Sequence, residues 1–408
     1  MTTTIDLDTL LHRGVAEIIR EEELRALLAS GRPLRLKMGF DPTAPHVHLG
    51  WAVGLRKLRR FQEMGHKVIL IVGDWTAQIG DPSGQTTTRR MLSREEVEAN
   101  AQDYLRQFFR IVHSELTEVV YQSSWYDPFS LADVVKLTSR FTVAKLLSRE
   151  DFANRFAQNR PITLTELIYP LLQAYDSVAI EADVEFGGTD QKFNCLAGRD
   201  LQEMLGQPAQ QVFLWPLLLG PDGRKMSQSL GNYIGVADAP NEMYGKLMSI
   251  TDTAMVDYYT LLTDVPITEI EAMQRRMAGG ALNPMDAKMR LAREIVGELH
   301  SSEAAERAEG EFVRVFRKRE APEEIAERPV RFDDYTVSEY PRMVDLRRLL
   351  PDVGLVASSS EARRLLQQGA VEVNGITVTE DRANVEPGSI IRVGKRRFVR
   401  LVDVSASA

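Results

Sequence analysis

Two short apolar runs, Leu34 to Phe40 and Val68 to Gly73, are separated by residues whose apolar positions recur at helical spacing from about Ala52 to Met64. Strand, helix and strand in this order form a βαβ unit. Such units belong to a doubly wound parallel sheet, which binds its ligands at the carboxyl ends of the strands. The first strand runs into Gly39-Phe40-Asp41-Pro42-Thr43-Ala44-Pro45-His46-Val47-His48-Leu49-Gly50-Trp51. Pro42 and Pro45 fix that turn, while Gly39 and Gly50 allow close backbone approach. The helix that follows is expected to leave free N–H groups facing an anion, so the loop reads as a nucleotide site.

A chain of 408 residues, 44% of them hydrophobic, can bury cores for two or three domains. Cys195 is the only cysteine, so no intrachain disulfide can form, and a cytoplasmic setting is expected. The acidic N-terminal residues lack the apolar core of a signal peptide, and no apolar stretch approaches the ~20 residues of a membrane span. Neither secretion nor a membrane partner is expected.

Val178 to Glu185 and Val212 to Leu219 are further strand candidates, so an α/β Rossmann-like domain is expected over 1–235, with a helical insertion from Leu131 to Tyr175 punctuated by Pro161 and Pro170. Residues 236–320 read as an α-helical domain, with helices at Asn241 to Met248, Thr253 to Leu262, Ile267 to Met277 and Pro284 to Phe316. The charged, proline-containing stretch 321–341 reads as a linker, and 342–408 as a small α+β domain. From Arg342 to Asp403 there are eleven basic and eight acidic side chains, a net +3 that leaves about −11 for the rest of the chain. Nucleic-acid contact is therefore expected at the C-terminal domain, not across the whole acidic surface.

Three local patterns suit a polar ligand. Gly220-Pro221-Asp222-Gly223-Arg224-Lys225-Met226-Ser227-Gln228-Ser229 offers glycines, cations and hydroxyls for gripping phosphate, although the same residues would also suit a charged surface hairpin. Tyr169, Gln173 and Asp176 fall on one helical face, where a hydroxyl, an amide and a carboxylate can converge. Asp190 follows Gly187 and Gly188 in a turn.

Together these patterns resemble those of class I aminoacyl-tRNA synthetases, whose two signatures correspond here to His48-Leu49-Gly50-Trp51 and Lys225-Met226-Ser227-Gln228-Ser229. Gly39-Phe40-Asp41-Pro42-Thr43, Ile79-Gly80-Asp81-Pro82-Ser83-Gly84, Tyr169-Pro170-Leu171-Leu172-Gln173-Ala174-Tyr175-Asp176 and Gly187-Gly188-Thr189-Asp190-Gln191 are similar to motifs of the bacterial-type tyrosyl-tRNA synthetase family, over essentially the whole chain. The resemblance implies a tyrosine site of Lys37, Gly39, Asp41, Asp81, Tyr169, Gln173, Asp176 and Gln191. Tyr169, Gln173, Gln191 and Asp81 would lie near the ammonium, and Asp176 at the phenolic hydroxyl. It implies an ATP site of Asp41, His48, Gly50, Gly188, Asp190, Lys225, Met226 and Ser227, with His48, Thr43, Lys225 and Arg89 catalytic. ATP would arrive with Mg2+, with no metal held tightly by the protein itself.

The segment around Ser358-Ser359-Ser360-Glu361-Ala362-Arg363-Arg364 and Gly369-Ala370-Val371-Glu372-Val373-Asn374-Gly375 resembles the S4 RNA-binding fold. Arg363, Arg364, Lys395, Arg396 and Arg397 are its candidate phosphate contacts. The implied activity is ligation of tyrosine to tRNA(Tyr), with tRNA, tyrosine and ATP as partners and a homodimer as the assembly. Trp51, Gln228 and Gln85 stand where the family carries a histidine and two lysines. Those departures raise a second expectation, a repurposed paralogue that binds tyrosine or RNA without efficient charging.

Overall fold

The computed structural model describes residues 6–82, 92–317, 325–339, 342–394 and 397–404. Arg89, Gln85, Lys395 and Arg396 lie outside the described residues. The chain divides into two compact units, Met1–Ala305 and Glu306–Ala408.

The first unit is built on six strands: β1 (Glu17–Ile19), β2 (Arg35–Phe40), β3 (Lys67–Val72), β4 (Thr117–Tyr121), β5 (Val184–Gly188) and β6 (Gln211–Trp215). Their order is β1-β6-β5-β2-β3-β4, and all neighbours are parallel except β1 with β6. Val68 to Val72 are entirely buried, as a central parallel strand covered on both faces must be. The helix α1 (Leu49–Glu63) covers the sheet with Ala52, Val53, Leu55, Leu58 and Phe61, the stripe its periodicity calls for. From β2 the chain adds β3 and β4 on one side, then returns to place β5 and β6 on the other. The carboxyl ends of β2 and β5 therefore flank the topological switch point, where doubly wound sheets open a crevice.

Some boundaries differ from those expected. Residues 178 and 179 finish the helix α2 (Leu164–Ala179), and the strand begins only at Val184, because a capping box of Thr163 and Glu166 starts a helix that runs straight through Pro170. Pro161 precedes that helix, whereas Pro170 sits inside it. The inserted segment folds as Leu131–Thr138, Val143–Leu147 and Glu150–Ala157 ahead of α2. Its Leu137, Phe141 and Leu146 pack with Leu171 and Ala174 of α2 and with Ala197 and Leu201 of α3 (Lys192–Met204). The later helices are Pro240–Leu247, Met255–Leu262, Ile267–Ala278, Pro284–Leu299 and Ser302–Phe312, so the expected single helix from Pro284 to Phe316 is interrupted at His300.

In the second unit, a five-stranded and a three-stranded sheet pack with two helices, Leu346–Asp352 and Ser359–Gln367. Its core includes Leu346, Leu349, Leu350, Leu366, Val371, Ile391 and Leu401. The stretch read as a linker carries two strands: Glu327–Val330 pairs in parallel with Arg397–Asp403, and Thr336–Glu339 pairs with Arg342–Asp345. Val330 and Phe332 anchor this segment in the core; two isolated apolar residues give no readable period, which is why the sequence pattern conceals them. Between Val371–Val373 and Ile376–Val378, Asn374 and Gly375 both adopt positive φ (48° and 80°), the tight two-residue hairpin that the Asn-Gly pair demands.

Candidate active site

A cavity of about 790 Å³ opens at the switch point of the first unit. Asp176 lines it. Its carboxylate accepts from Gln122 Nε2 (2.8 Å) and Trp125 Nε1 (3.2 Å), with the Tyr126 hydroxyl 3.5 Å away. Burial pushes its pKa up to about 7, opposed by the charge of Lys37 and by the bond from Gln122. An O–H donor entering here meets an acceptor that is otherwise surrounded by fixed donors.

Further along α2, Tyr169 donates its hydroxyl to Asp41 Oδ2 (2.8 Å), and Thr76 donates to Asp41 Oδ1 (2.6 Å). Burial and the neighbouring Asp41 carboxylate both raise the Tyr169 pKa well above the usual phenol value, so it stays a neutral donor. Asp81 accepts from Gln191 Nε2 (2.7 Å) and lies 3.3 Å from Arg149. Asn194 links the two amides by donating to Gln173 Oε1 (2.9 Å) and Gln191 Oε1 (3.1 Å). Asp41, Asp81 and these oriented amides make this part of the lining acidic and rich in acceptors, suited to an ammonium group.

The loop after β2 supplies the third region. His48 caps α1, its Nδ1 accepting from the Gly50 N–H (3.1 Å). That bond leaves the ring proton on Nε2. Burial, reinforced by Lys225, pushes its pKa down to about 4, so the imidazole is a neutral donor at neutral pH. The amides expected to face an anion are already used: Leu49 N–H donates to Ile234 O, Gly50 N–H to His48 Nδ1, and Trp51 N–H to His48 O. An anion here would meet side chains, since the helix start is closed by its own cap.

Lys225 reaches across to Asp190, Nζ to Oδ2 at 2.7 Å. Gln228 donates to the Tyr104 hydroxyl (3.0 Å) and to the backbone oxygen of His46, which ties the 220–231 loop to the one after β2. Trp51 packs its ring 5.9 Å from Phe108 and 6.5 Å from Tyr104, in a cluster that includes Phe40.

Of the residues singled out from the sequence, Gly39, Asp41, Thr43, His48, Gly50, Asp81, Tyr169, Gln173, Asp176, Gly188, Asp190, Gln191, Lys225, Met226 and Ser227 all line this one cavity. Lys37 does not. It is fully buried, with all three ammonium protons directed at Gln173 O (2.9 Å), Ser177 Oγ (2.7 Å) and Glu185 Oε1 (2.8 Å), because β2 turns its side chain under α2. The sequence reading missed Gln122, Trp125 and Tyr126, which follow the unrecognised strand β4; its short Val119-Val120 pair was the available signal. Thr76 and Gly73 were missed too, since neither belongs to a pattern of charge or periodicity.

The model of the tRNA synthetases class I (W and Y) matches residues 29–317. The chain belongs to that family. A model of the S4 domain matches residues 349–391 of the second unit. The tyrosine–tRNA ligase of Dehalococcoides mccartyi (strain ATCC BAA-2266 / KCTC 15142 / 195) is 54% identical over 398 residues, covering 97% of this chain and 98% of that protein. That of Moorella thermoacetica is 50% identical over 399 residues, 96% of this chain and 94% of that protein. The solved tyrosyl-tRNA synthetase of Archaeoglobus fulgidus, complexed with L-tyrosine, shares the fold at a TM-score of 0.61 and 24% identity, covering 74% of this chain and 98% of that one.

As expected of class I synthetases, the two signature loops meet over one crevice at the switch point. In the S4-containing unit, Arg363 and Arg364 are exposed on Ser359–Gln367. Arg397 is held beside the first turn of that helix by Leu355 O (2.5 Å) and Glu361 (3.4 Å). Among the described residues no helix is long and apolar enough to cross a membrane, and no group of three or more His, Cys, Asp or Glu is placed to hold a metal ion.

Proposed function

We propose that this chain is an ATP-dependent tyrosine–tRNA ligase that makes tyrosyl-adenylate and transfers tyrosine to tRNA(Tyr). The observation that carries the reading is one cavity lined both by a buried acceptor, Asp176, and by the carboxylates of Asp41 and Asp81. That combination of acceptors suits a molecule that carries both a phenol and an ammonium, and relatives that are half identical over nearly full length bear the matching name.

The phenol donates to Asp176, and the ammonium lies among Asp81, Tyr169, Gln173 and Gln191. A tyrosine carboxylate oxygen then bonds to the α-phosphorus of ATP as the bond to pyrophosphate breaks. Charge grows on the phosphate oxygens, where the His48 Nε2–H and the Lys225 ammonium donate, with Arg89 as a further cation and Thr43 beside the adenylate. Asp190 and the Gly188 backbone take the ribose, a task that requires Lys225 to leave Asp190 for the phosphates. Magnesium enters as part of the nucleotide substrate. A terminal ribose hydroxyl of tRNA next attacks the tyrosyl carbonyl and AMP departs, with Arg363, Arg364, Lys395, Arg396 and Arg397 contacting the RNA backbone.

The assembly is a cytoplasmic homodimer; exposed apolar side chains on the insertion, Leu131, Val135, Val143, Phe156 and Leu164, support a subunit contact there. No finding favours the charging-deficient paralogue. ATP–pyrophosphate exchange across the twenty amino acids tests the proposal. Tyrosine alone should drive exchange strongly, and its failure to do so at high protein concentration would overturn the reading.

A further inference from the structure

Beneath the cavity floor lies a charged pair that touches no solvent. Lys37 on β2 and Glu185 on β5 are both buried, with Nζ and Oε1 2.8 Å apart. Taking two ions out of water costs several kcal/mol each before their attraction is counted, so a pair of this kind is poor evidence for stability. Its partners indicate another role. Lys37 holds the backbone oxygen of Gln173, and Glu185 accepts from Gln173 Nε2 (3.2 Å) and Ser177 Oγ (3.3 Å). Gln173 and Ser177 flank Asp176 on α2.

We infer that Lys37 and Glu185 are a positioning pair that fixes the Gln173 amide and, through their opposite charges, sets how readily Asp176 offers a carboxylate to the tyrosine phenol. This rests on the tyrosine reading above. The amide is fixed because Glu185 can accept only from its nitrogen, which leaves Gln173 Oε1 for Asn194 and, through Asn194, orients Gln191 toward Asp81. Asp176 is influenced because the pair holds Gln173 and Ser177, the residues that flank it on α2. Lys37 favours its ionised form and Glu185 opposes it, against the larger effect of burial.

Neutral groups border the pair as well. Tyr126, from the segment after β4, is kept protonated by burial and by Asp176 itself, and Cys195 of α3 by burial and by Glu185. Gln122, Trp125 and Gln210 carry no charge. The two members of the pair thus push Asp176 in opposite directions.

Equilibrium binding of tyrosine between pH 5 and 9 tests this in the full chain, with K37M, E185Q and the double variant K37M/E185Q. Ionised Asp176 accepts the phenol more strongly than the neutral acid does, so wild-type affinity should rise with pH through the region of 7. In K37M the midpoint should move up, and in E185Q down, each by about one unit, the low end of what a nearby charge supplies. The double variant should return close to wild type. Midpoints that move in the same direction, or a uniform weakening with no movement, would overturn the inference while leaving the tyrosine reading intact. If K37M fails to fold, the sign of the E185Q displacement still decides. Wild-type protein that binds no tyrosine at any pH would sink both readings.

Discussion

Gly73 is the position where one methyl group should do most damage to the proposed chemistry. It follows β3, its N–H bonded to Phe40 O (2.9 Å) and its carbonyl accepting from Ala77 N (2.7 Å), so the backbone is pinned from both sides. A Cβ there would lie 2.3 Å from Asp41 Oδ1 and 2.4 Å from Thr76 Oγ1, with Phe40 O at 3.1 Å. The two side-chain atoms are themselves joined by a 2.6 Å bond, and Tyr169 holds the other oxygen of Asp41. No rotation can open the space without separating Asp41 from Thr76. Losing a hydrogen bond to a carboxylate costs about 1.5–3 kcal/mol, and overpacking adds roughly 1–3.

Only the part felt at Asp41 in the transition state reaches the rate. Taking about 2–4 kcal/mol for that part, G73A should lower kcat/KM for tyrosine-dependent pyrophosphate exchange by roughly 30- to 1,000-fold. Exchange kinetics and thermal unfolding should be measured on the same preparation. Wild-type kcat/KM in a folded G73A protein would refute the claim that Asp41 is held in place by this contact. A loss explained entirely by unfolded molecules would refute it as well.

Asp176→Asn should weaken tyrosine binding by about 1–3 kcal/mol, some 5- to 150-fold, while barely changing phenylalanine binding, because only the hydroxyl meets the group that loses its charge and exchanges one acceptor oxygen for a donor; calorimetric titration of both amino acids checks this. His48→Ala should reduce kcat by two to three decades, with little change in tyrosine affinity. In the wild-type enzyme the pH–rate profile between 6 and 8 should carry no limb from His48, which is already neutral there; its depressed pKa makes it a source of stability above pH 6.5 that fades as pH falls toward 4. Gln228→Ala removes the tie to Tyr104 and His46 and should cost kcat/KM about 5- to 150-fold, at roughly 0.5–1.5 kcal/mol for each of the two bonds. Trp51→His should lower Tm by several degrees without raising kcat, since the indole packs against Phe108 and Tyr104.

What could be read from the sequence was whatever local chemistry repeats. The βαβ unit announced itself through period and run length, and the face of Tyr169, Gln173 and Asp176 through helical spacing, because both depend on neighbours close in the chain. The misplaced features depend on distant partners. β4 has one half-buried Val-Val pair, and its identity as a strand comes from β3 beside it. Lys37 looked like a substrate contact because its place in the motif is known, whereas the depth of its side chain is set by Glu185 and Gln173, some 140 residues away.

The free amides expected at the start of α1 were a generic inference from helix ends. The histidine that made the loop look catalytic is the residue that caps them. This dual use explains how a chain with Trp51 in place of the second signature histidine can keep an ordered loop: His48 closes the helix with Nδ1 and still presents Nε2–H, while Trp51 and Gln228 secure the walls by packing and by neutral hydrogen bonds. In the proposed reaction the positive charge required at the phosphates then falls to Lys225 and Arg89. Because Lys225 is paired with Asp190, the proposed placement of the ribose on Asp190 requires this salt bridge to break before the cation can serve the reaction. Lys225→Ala should therefore depress kcat far more than ATP affinity: the ground state recovers a free Asp190 for the ribose, and only the transition state misses the charge.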